Sequence, residues 1–374
     1  MDDSSLPAGV QPAEGVLRFS YDGELKAVAG IAVVNVLLTV ATLGIYRFWA
    51  KTRLRRYFWG RIALAGDRFE YSGTGKELFL GFLIVLLVLS PLVAIDFLAN
   101  ILLPPDSPLL VVDYLAYLLI LWFLFNVAVF RARRYRLTRT RWRGLRFTQT
   151  GSSIGYAFSM MGWQVLVAVT LGLAMPFYRT ARQRTLTENT RFGSHELRFL
   201  GQGKDLFTVW VASWLLMGPT FGLSYVLYRV REFNYFAGKT QFRRLRAEAD
   251  LRIRRAIGIV LRYALLLIVP WLALIVLTFV LYPEAWDAFV ETGTFTVEEE
   301  GFSPLTVIFI AMAVLTFVWA GIGRLLFLVH PLLGAVVESL CLKGRAEFDV
   351  LVRARDEAPQ RGEGLLDALD VGEI

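Results

Sequence analysis

The chain alternates between long apolar runs and short polar, arginine-rich connections. Seven largely apolar runs can be marked, at about residues 27–49, 77–103, 108–130, 153–178, 205–228, 257–282 and 304–333. Runs of this length match the apolar core of a bilayer, which about 20 helical residues cross. The pattern therefore predicts a multi-pass α-helical membrane protein.

An internal repeat underlies three of these runs. In each copy a Phe-containing segment ends at a glycine, an apolar stretch follows, and a Thr-x-Gly break comes 19 residues after that glycine. The glycine and threonine pairs are Gly23 and Thr42, Gly151 and Thr170, and Gly201 and Thr220. We expect repeat units at about 17–73, 145–201 and 197–250.

Short segments beside the repeats alternate apolar and polar residues, which is typical of half-buried strands. They lie at residues 17–21, 68–71, 145–148 and 197–199, and a further one is expected at 346–350. An isolated strand leaves its backbone groups unpaired, so the segments should pair with one another. We expect a small cytoplasmic β-layer.

Two topologies are compatible with these elements. If all seven runs cross, segment 179–204 lies outside although it contains six Lys and Arg, against the positive-inside trend. In the favoured alternative, runs 27–49, 153–178 and 205–228 enter the bilayer, turn near Thr-x-Gly and return. The expected fold class is then an α-helical polytopic membrane protein. It combines internal repeats of broken, re-entrant helices with two transmembrane hairpins (about 77–130 and 257–333) and short cytoplasmic β-strands.

Charge is distributed unevenly along the 374 residues, of which 56% are apolar and whose net charge is +8. Four connections hold 31 of the 40 Lys and Arg, at residues 47–76, 131–150, 179–204 and 229–256, whereas residues 283–303 hold six acids and no Lys or Arg. Basic connections stay on the cytoplasmic side, which places the C-terminus there. Because each basic cluster adjoins an apolar run, a nucleic-acid partner is not expected.

We expect one integral membrane domain over residues 16–355, flanked by disordered segments at 1–15 and 356–374. The N-terminus lacks the basic region of a cleaved signal peptide, so the first run should remain in the mature protein. The single cysteine, Cys341, excludes an intrachain disulfide. With only two histidines on different segments, neither a metal site nor a cofactor is expected.

The segments at residues 42–51 and 66–78 resemble the DUF898 (YjgN-like) family of bacterial inner-membrane proteins. The resemblance covers most of residues 15–350 and is most specific at 42–81. The third copy departs from the pattern, with Phe221 where the first two have leucine. The resemblance implies a multi-pass protein of the bacterial inner membrane. It implies no reaction, because the family has no established biochemical function.

A basic, aromatic stretch follows the first Thr-x-Gly. Arg47, Lys51 and Arg55 are spaced four residues apart and should share one helix face, while Trp49 and Trp59 carry rings suited to the headgroup layer. These five residues are candidate contacts for anionic phospholipid headgroups. The alternative is interfacial anchoring and control of topology. The Gly-x-Gly-Lys segments at 73–76 and 201–204 lack P-loop spacing and are predicted to be turns.

Polar residues inside the apolar runs are candidates for function. Asp96, Asp113, Asn126 and Arg324 would line a path in a small-solute or ion transporter, which is the alternative function. No set of acid, base and nucleophile converges in the sequence, so an enzyme is not expected. The favoured function is a non-enzymatic inner-membrane protein that interacts with anionic lipid or another membrane component through its basic aromatic cytoplasmic segments. The oligomeric state stays open.

Overall fold

A computed structural model describes residues 15–281 and 321–344, together with Thr316 and Trp319. The expectations for residues 1–14, for the acidic segment 283–303, for a strand at 346–350 and for the tail at 356–374 lie outside the described residues.

Ten strands of three to seven residues are described. They are β1 (Gly15–Tyr21), β2 (Ile62–Leu64), β3 (Asp67–Tyr71), β4 (Thr140–Trp142), β5 (Leu145–Gln149), β6 (Thr190–Phe192), β7 (His195–Phe199), β8 (Thr240–Phe242), β9 (Leu245–Ala249) and β10 (Leu340–Gly344). Long and short strands alternate along most of the chain. Each strand pairs antiparallel with its neighbours in the sequence, and β1 also pairs with β10.

The strands close into a barrel, so the expected fold class is wrong. The alternating segments do not form a small layer beside a helical membrane domain; they are the wall of a ten-stranded barrel from which the helices extend. Two physical reasons explain the error. The returning strands, such as β4 and β6, have only three residues and show no period of two. The barrel also closes by pairing β1 with β10, which are far apart in the sequence, and no local sequence pattern indicates this pairing.

The helices connect alternate strands of this barrel. They are α1 (Leu25–Ala41), α2 (Arg47–Gly60), α3 (Gly75–Leu102), α4 (Pro108–Arg139), α5 (Ser153–Val169), α6 (Met175–Glu188), α7 (Lys204–Leu215), α8 (Leu223–Gly238), α9 (Ile253–Leu281) and α10 (His330–Ser339). A π-helical segment, Arg324–Val329, precedes α10. Each of the first four helix pairs forms a hairpin between a long strand and the following short strand.

The strand connections place all the helices at one end of the barrel. Successive units are joined by two-residue turns such as Ala65-Gly66 and Arg143-Gly144, in which both residues have positive φ, as in the type I′ turns that suit twisted hairpins. In an antiparallel barrel these turns share one end, so every hairpin leaves from the other. The hairpins that contain runs 27–49, 153–178 and 205–228 therefore return to the end of the barrel from which they start.

Side chains alternate between the inside and the outside of the barrel. In β1, Leu17, Phe19 and Tyr21 are partly buried and Arg18 is exposed. The strands and their turns carry eleven Lys and Arg against four Asp and Glu, counted over residues 15–21, 62–71, 140–149, 190–199, 240–249 and 340–344. The barrel therefore presents a strongly basic outer surface around an apolar interior.

The helices surround the barrel axis in chain order. Each helix from α1 to α9 contacts the next, and the π-helical segment contacts both α9 and α1. In the described part of the chain, four helices are long and apolar enough to cross a membrane: Gly75–Leu102, Pro108–Arg139, Ile253–Ala273 and Gly321–Ser339. The first two form the hairpin expected at 77–130, whereas the hairpin expected at 257–333 includes residues that lie outside the described part.

The Thr-x-Gly break is a self-satisfied helical turn. The Thr42 hydroxyl donates to the Leu38 carbonyl at 2.7 Å and accepts from the Tyr46 amide at 2.9 Å. The same two bonds recur at Thr170 and Thr220. Gly44 has φ +90°, a conformation that glycine adopts without steric cost. The threonine hydroxyl therefore satisfies two backbone groups of the turn from within the chain, which suits an apolar environment.

Candidate functional site

The candidate site is the mouth of the barrel, at the end from which the helices leave. Five strands follow a helix pair: β2, β4, β6, β8 and β10. The first residue of each points inward at the mouth, and three of the five are threonines: Thr140, Thr190 and Thr240. The second helix of each pair packs against the following long strand, as α4 packs on β5 and α6 on β7. This packing brings the inner faces of α2, α4, α6 and α8 over the mouth.

Arg133 of α4 is bound to the rim of the barrel. Its Nη1 donates to Gln149 Oε1 at 2.9 Å, to Thr190 Oγ1 at 2.9 Å and to the Leu186 carbonyl at 3.1 Å. All three acceptors are neutral, so these bonds satisfy the guanidinium without cancelling its charge. The side chain links α4 to β5, β6 and α6 across two neighbouring units.

Arg55 occupies the equivalent position in the first unit, seven residues before the short strand. It is only 7% exposed, and its guanidinium lies 6.0 Å from the ring centroid of Tyr71 on β3. Trp59 is also directed to the rim, since its indole donates to Thr140 Oγ1 at 3.0 Å. Both residues therefore belong to the interior of the molecule.

A buried carboxylate, Glu232 of α8, is held by two arginines. It accepts from Arg179 Nε at 2.5 Å and from Arg229 Nη1 at 2.7 Å, and its side chain is only 2% exposed. The Tyr228 hydroxyl donates to the same carboxylate at 3.0 Å. Burial raises the pKa of Tyr228, and the Glu232 charge raises it further. The phenol therefore remains a donor.

Below the mouth, the barrel interior is filled by apolar side chains. Leu64, Trp142 and Phe192 are buried at its centre. Seven further side chains pack around them: Leu17, Phe19, Phe69, Leu145, Phe147, Phe242 and Leu342. The rings of Phe147 and Phe192 lie 4.6 Å apart. Such packing closes the barrel to water below the rim.

The five predicted lipid contacts do not form one surface. Arg47 is exposed near the tip of the first hairpin, over the Phe82 ring at 5.2 Å, and Trp49 is 36% exposed. Lys51 is partly exposed, while Arg55 and Trp59 lie at the barrel mouth. Arg47, Lys51 and Arg55 share one face of α2, as their spacing predicts. This face runs from the exposed hairpin tip to the buried mouth of the barrel, so it is not a single exposed surface.

The predicted transport residues are also separated. Asn126 of α4 exchanges amide hydrogen bonds with Gln164 of α5, in both directions at 3.2 Å, and is 2% exposed. Gln164 also accepts from the Trp122 indole at 2.6 Å. These bonds make Asn126 part of a bridge between two helices.

The other three transport candidates lie elsewhere. Asp96 and Asp113 are partly exposed in α3 and α4, each within about two helical turns of the connection at residues 103–107. Arg324 is exposed at the start of the π-helical segment. The four candidates do not line one path through the described residues.

The Gly-x-Gly segments form the strand-to-helix turns that the sequence predicts. A Cβ at Gly73 would lie 2.6 Å from the Tyr71 hydroxyl, because the tyrosine ring folds over the glycine. A Cβ at Gly75 would lie 2.8 Å from Trp49 Cα, where α2 passes. The glycines therefore serve close packing. No group of three or more His, Cys, Asp and Glu residues is arranged for a metal ion in the described part of the chain.

The barrel mouth was not predicted as a site from the sequence. One signal was available: Thr140, Thr190 and Thr240 are spaced 50 residues apart, each before an aromatic two positions later in a short strand. The arginines on the inner faces of α4 and α6 precede these threonines by one to three helical turns. Without the closed barrel, nothing in the sequence indicated that these faces converge.

Comparisons with known proteins agree with the predicted resemblance. A family model described as a bacterial protein of unknown function (DUF898) matches residues 16–368. Inner membrane protein YjgN of Escherichia coli K12 is 31% identical over 154 residues, which are 41% of this chain and 36% of that relative. YjgN of Salmonella typhimurium LT2 is 43% identical over 58 residues, 16% of this chain and 15% of that relative.

The chain thus spans little more than a third of the length of the relatives it matches. No solved structure matches it. The relatives are named as inner membrane proteins, and the described residues of this chain include four helices suited to crossing a membrane. It is a membrane protein, and since the family match extends over nearly its whole length, it belongs to the DUF898 family of bacterial proteins.

Proposed function

We propose that this chain is a non-enzymatic protein of the bacterial inner membrane that binds anionic phospholipid headgroups around the junction of helices and barrel. In this proposal the helices lie in the bilayer and the barrel lies in the cytoplasm. The observation that carries it is a ring of equivalent cations at this junction.

Four units place an exposed cation five residues after the end of the long strand. These cations are Lys26, Lys76, Lys204 and Arg254, which we call the basic belt. Each lies in the first turn of the helix that leaves the barrel. A cation at a helix N-terminus is unfavourable to the helix dipole, so helix stability does not explain the pattern. Each cation near an anionic membrane surface contributes about 1 kcal/mol to binding.

The surface beyond the belt is apolar. Leu87 in α3 is 73% exposed, and the hairpin-tip residues Leu43, Leu171 and Phe221 are 94%, 77% and 99% exposed. Exposed apolar surface of this extent marks a contact with lipid or with another protein. Acyl chains against these helices would bring headgroups to the level of the belt.

The charge of the barrel supports its cytoplasmic placement. Its strands and turns have nearly three times as many Lys and Arg as Asp and Glu. Segments of this composition remain on the cytoplasmic side of inserted proteins.

Lipid retention tests the belt. Protein extracted gently into detergent would be examined by native mass spectrometry for bound phosphatidylglycerol and phosphatidylethanolamine. We expect the combined variant Lys26→Ala, Lys76→Ala, Lys204→Ala and Arg254→Ala to retain several-fold less phosphatidylglycerol. A control that removes equal charge from the outer barrel surface, Arg18→Ala, Arg198→Ala, Arg244→Ala and Arg246→Ala, should retain it as the parent does.

A gain-of-function variant strengthens the test. The third unit has the exposed Ile154 at the belt position, so Ile154→Lys should increase phosphatidylglycerol retention. Equal retention by the parent, the belt variant and the Ile154→Lys variant would remove the proposal.

Thiol labelling tests the orientation. In a Cys341→Ser background, Asp106→Cys lies in the α3–α4 connection and Ser194→Cys lies in a turn at the far end of the barrel. A membrane-impermeant reagent added to intact cells stripped of their outer membrane should label position 106 and leave position 194 unlabelled. The reverse result would place the barrel outside.

A further inference from the structure

A cavity of about 430 Å³ lies at the mouth of the barrel, between α6 and α8. Three of its lining residues, Thr240, Ala247 and Leu340, occupy inward positions of β8, β9 and β10. Ala247 pairs directly with Leu342, which packs in the barrel interior. The cavity is therefore inside the ring of helices, apart from the outer basic belt.

The sequence of β9 creates this space. The long strands β1, β3, β5 and β7 place Phe19, Phe69, Phe147 and Leu197 in the barrel interior, but the corresponding residue of β9 is Ala247. Ala247 lines the cavity. An alanine in place of a large side chain at this position leaves the mouth unfilled on this side.

The cavity is lined by three arginines and one carboxylate: Arg179, Arg182, Arg229 and Glu232. Glu232 is bound by Arg179 and Arg229. Arg179 and Arg182 belong to α6 and Arg229 belongs to α8, so guanidinium groups line the cavity from both helices.

We propose that this cavity is a binding site for a small tetrahedral oxyanion of the phosphate class, either a free anion or the phosphate of a lipid that enters between the helices. Guanidinium groups present paired N–H donors that match the oxygens of phosphate. Arg182 and Arg229 supply the donors from two facing helices, and Gln183 adds a neutral donor from α6. At about 430 Å³ the cavity is larger than a phosphate ion requires, so it also has room for the group that a phosphate ester carries.

Binding of inorganic phosphate tests the site. Detergent-purified, delipidated full-length protein would be titrated with phosphate, by calorimetry and by thermal unfolding, against chloride at equal ionic strength. We expect saturable binding and a rise in the unfolding temperature. Arg182→Gln and Arg229→Gln should each weaken binding at least five-fold, Arg182→Lys should weaken it less, and the exposed control Arg198→Gln should bind as the parent does.

Two further arms separate the outcomes. A soluble phosphate monoester and a short-chain phosphatidic acid would be titrated in parallel, and tighter binding of the latter alone would assign the site to a lipid phosphate. Each variant would first be required to retain the parent's circular dichroism and elution volume. The proposal would be overturned if none of the three ligands showed saturable binding. It would also be overturned if the parent and the folded Arg182→Gln variant bound equally. Both outcomes are independent of the result at the basic belt.

Discussion

Single glycines mark the places where two segments of backbone meet in this molecule. A Cβ at Gly203 would lie 2.8 Å from Phe177 Cα, so the α6 backbone would have to move. We expect Gly203→Ala to lower the free energy of unfolding by about 1–3 kcal/mol, as overpacking does. The measurement is unfolding of the detergent-solubilised protein.

The matched control is Gly162→Ala, because Gly162 lies within α5 and a Cβ there meets nothing within 4 Å. That change should be neutral or stabilise by about 0.5–1 kcal/mol, since alanine favours the helix. Equal effects at the two positions would contradict the packing geometry.

Threonine hydroxyls hold the hairpin tips together. Thr170→Val keeps the shape of the side chain but removes its bonds to the Leu166 carbonyl and the Ala174 amide. We expect a loss of about 1–2 kcal/mol, the usual cost of a lost helix cap. Thr148→Val on the outer face of β5 should cost little. A Thr170→Val protein as stable as its parent would show that the hydroxyl does not hold the turn.

Residue patterns predicted several of these features. The Thr-x-Gly spacing indicated a chain break, and the Gly-x-Gly segments indicated turns, because both depend on local geometry. The partners of Arg55 and Trp59 were not predictable, since Tyr71 and Thr140 meet them only after neighbouring units have packed.

At the scale of helices, an amide pair joins the second hairpin to the third. Asn126 and Gln164 satisfy each other between α4 and α5. Gln164→Leu leaves the buried Asn126 amide without this partner, and we expect a loss of about 1–3 kcal/mol. In the double variant with Asn126→Leu, much of that loss should be recovered.

A double-mutant cycle on thermal unfolding measures this coupling. In such cycles, interhelical hydrogen bonds in a membrane protein average about 0.6 kcal/mol and reach about 1.7 kcal/mol. Strictly additive effects of the two substitutions would contradict a direct bond. Solute-flux assays would separately test Asn126 as a transport residue.

The sequence predicted the long apolar helices better than the short strands. The apolar runs at 77–103, 108–130 and 257–282 coincide closely with α3, α4 and α9, because helix length and hydropathy are local properties. The short strands β2, β4, β6 and β8 were missed, because three residues are too few to display a strand period. The five-residue strands β9 and β10 were also missed. With these strands included, the expected β-layer becomes a closed barrel.

The whole molecule is organised by pairing between the two ends of the described chain. β1 pairs with β10, so the strand sequence closes on itself without a free edge. Closure fixes the hairpins around one axis and brings the arginines of α4, α6 and α8 together at the mouth. Neither consequence follows from any local sequence pattern, so the mouth of the barrel could not be predicted.

The native cysteine provides a direct probe of closure. Cys341 on β10 lies opposite Arg18 on β1 and opposite Glu248 on β9. Cα separations between paired antiparallel residues fall within the range that a disulfide spans. Glu248→Cys serves as the positive control, and Arg198→Cys, three strands away from β10 along the wall, serves as the negative control.

The decisive measurement is disulfide formation in the Arg18→Cys variant in isolated membranes under mild oxidation, identified by mass spectrometry of the linked peptides. We expect an intramolecular disulfide between positions 18 and 341 that forms as efficiently as the disulfide of the Glu248→Cys variant, and we expect none in the Arg198→Cys variant. A disulfide in the Glu248→Cys variant but none in the Arg18→Cys variant would show that the barrel is open between β1 and β10.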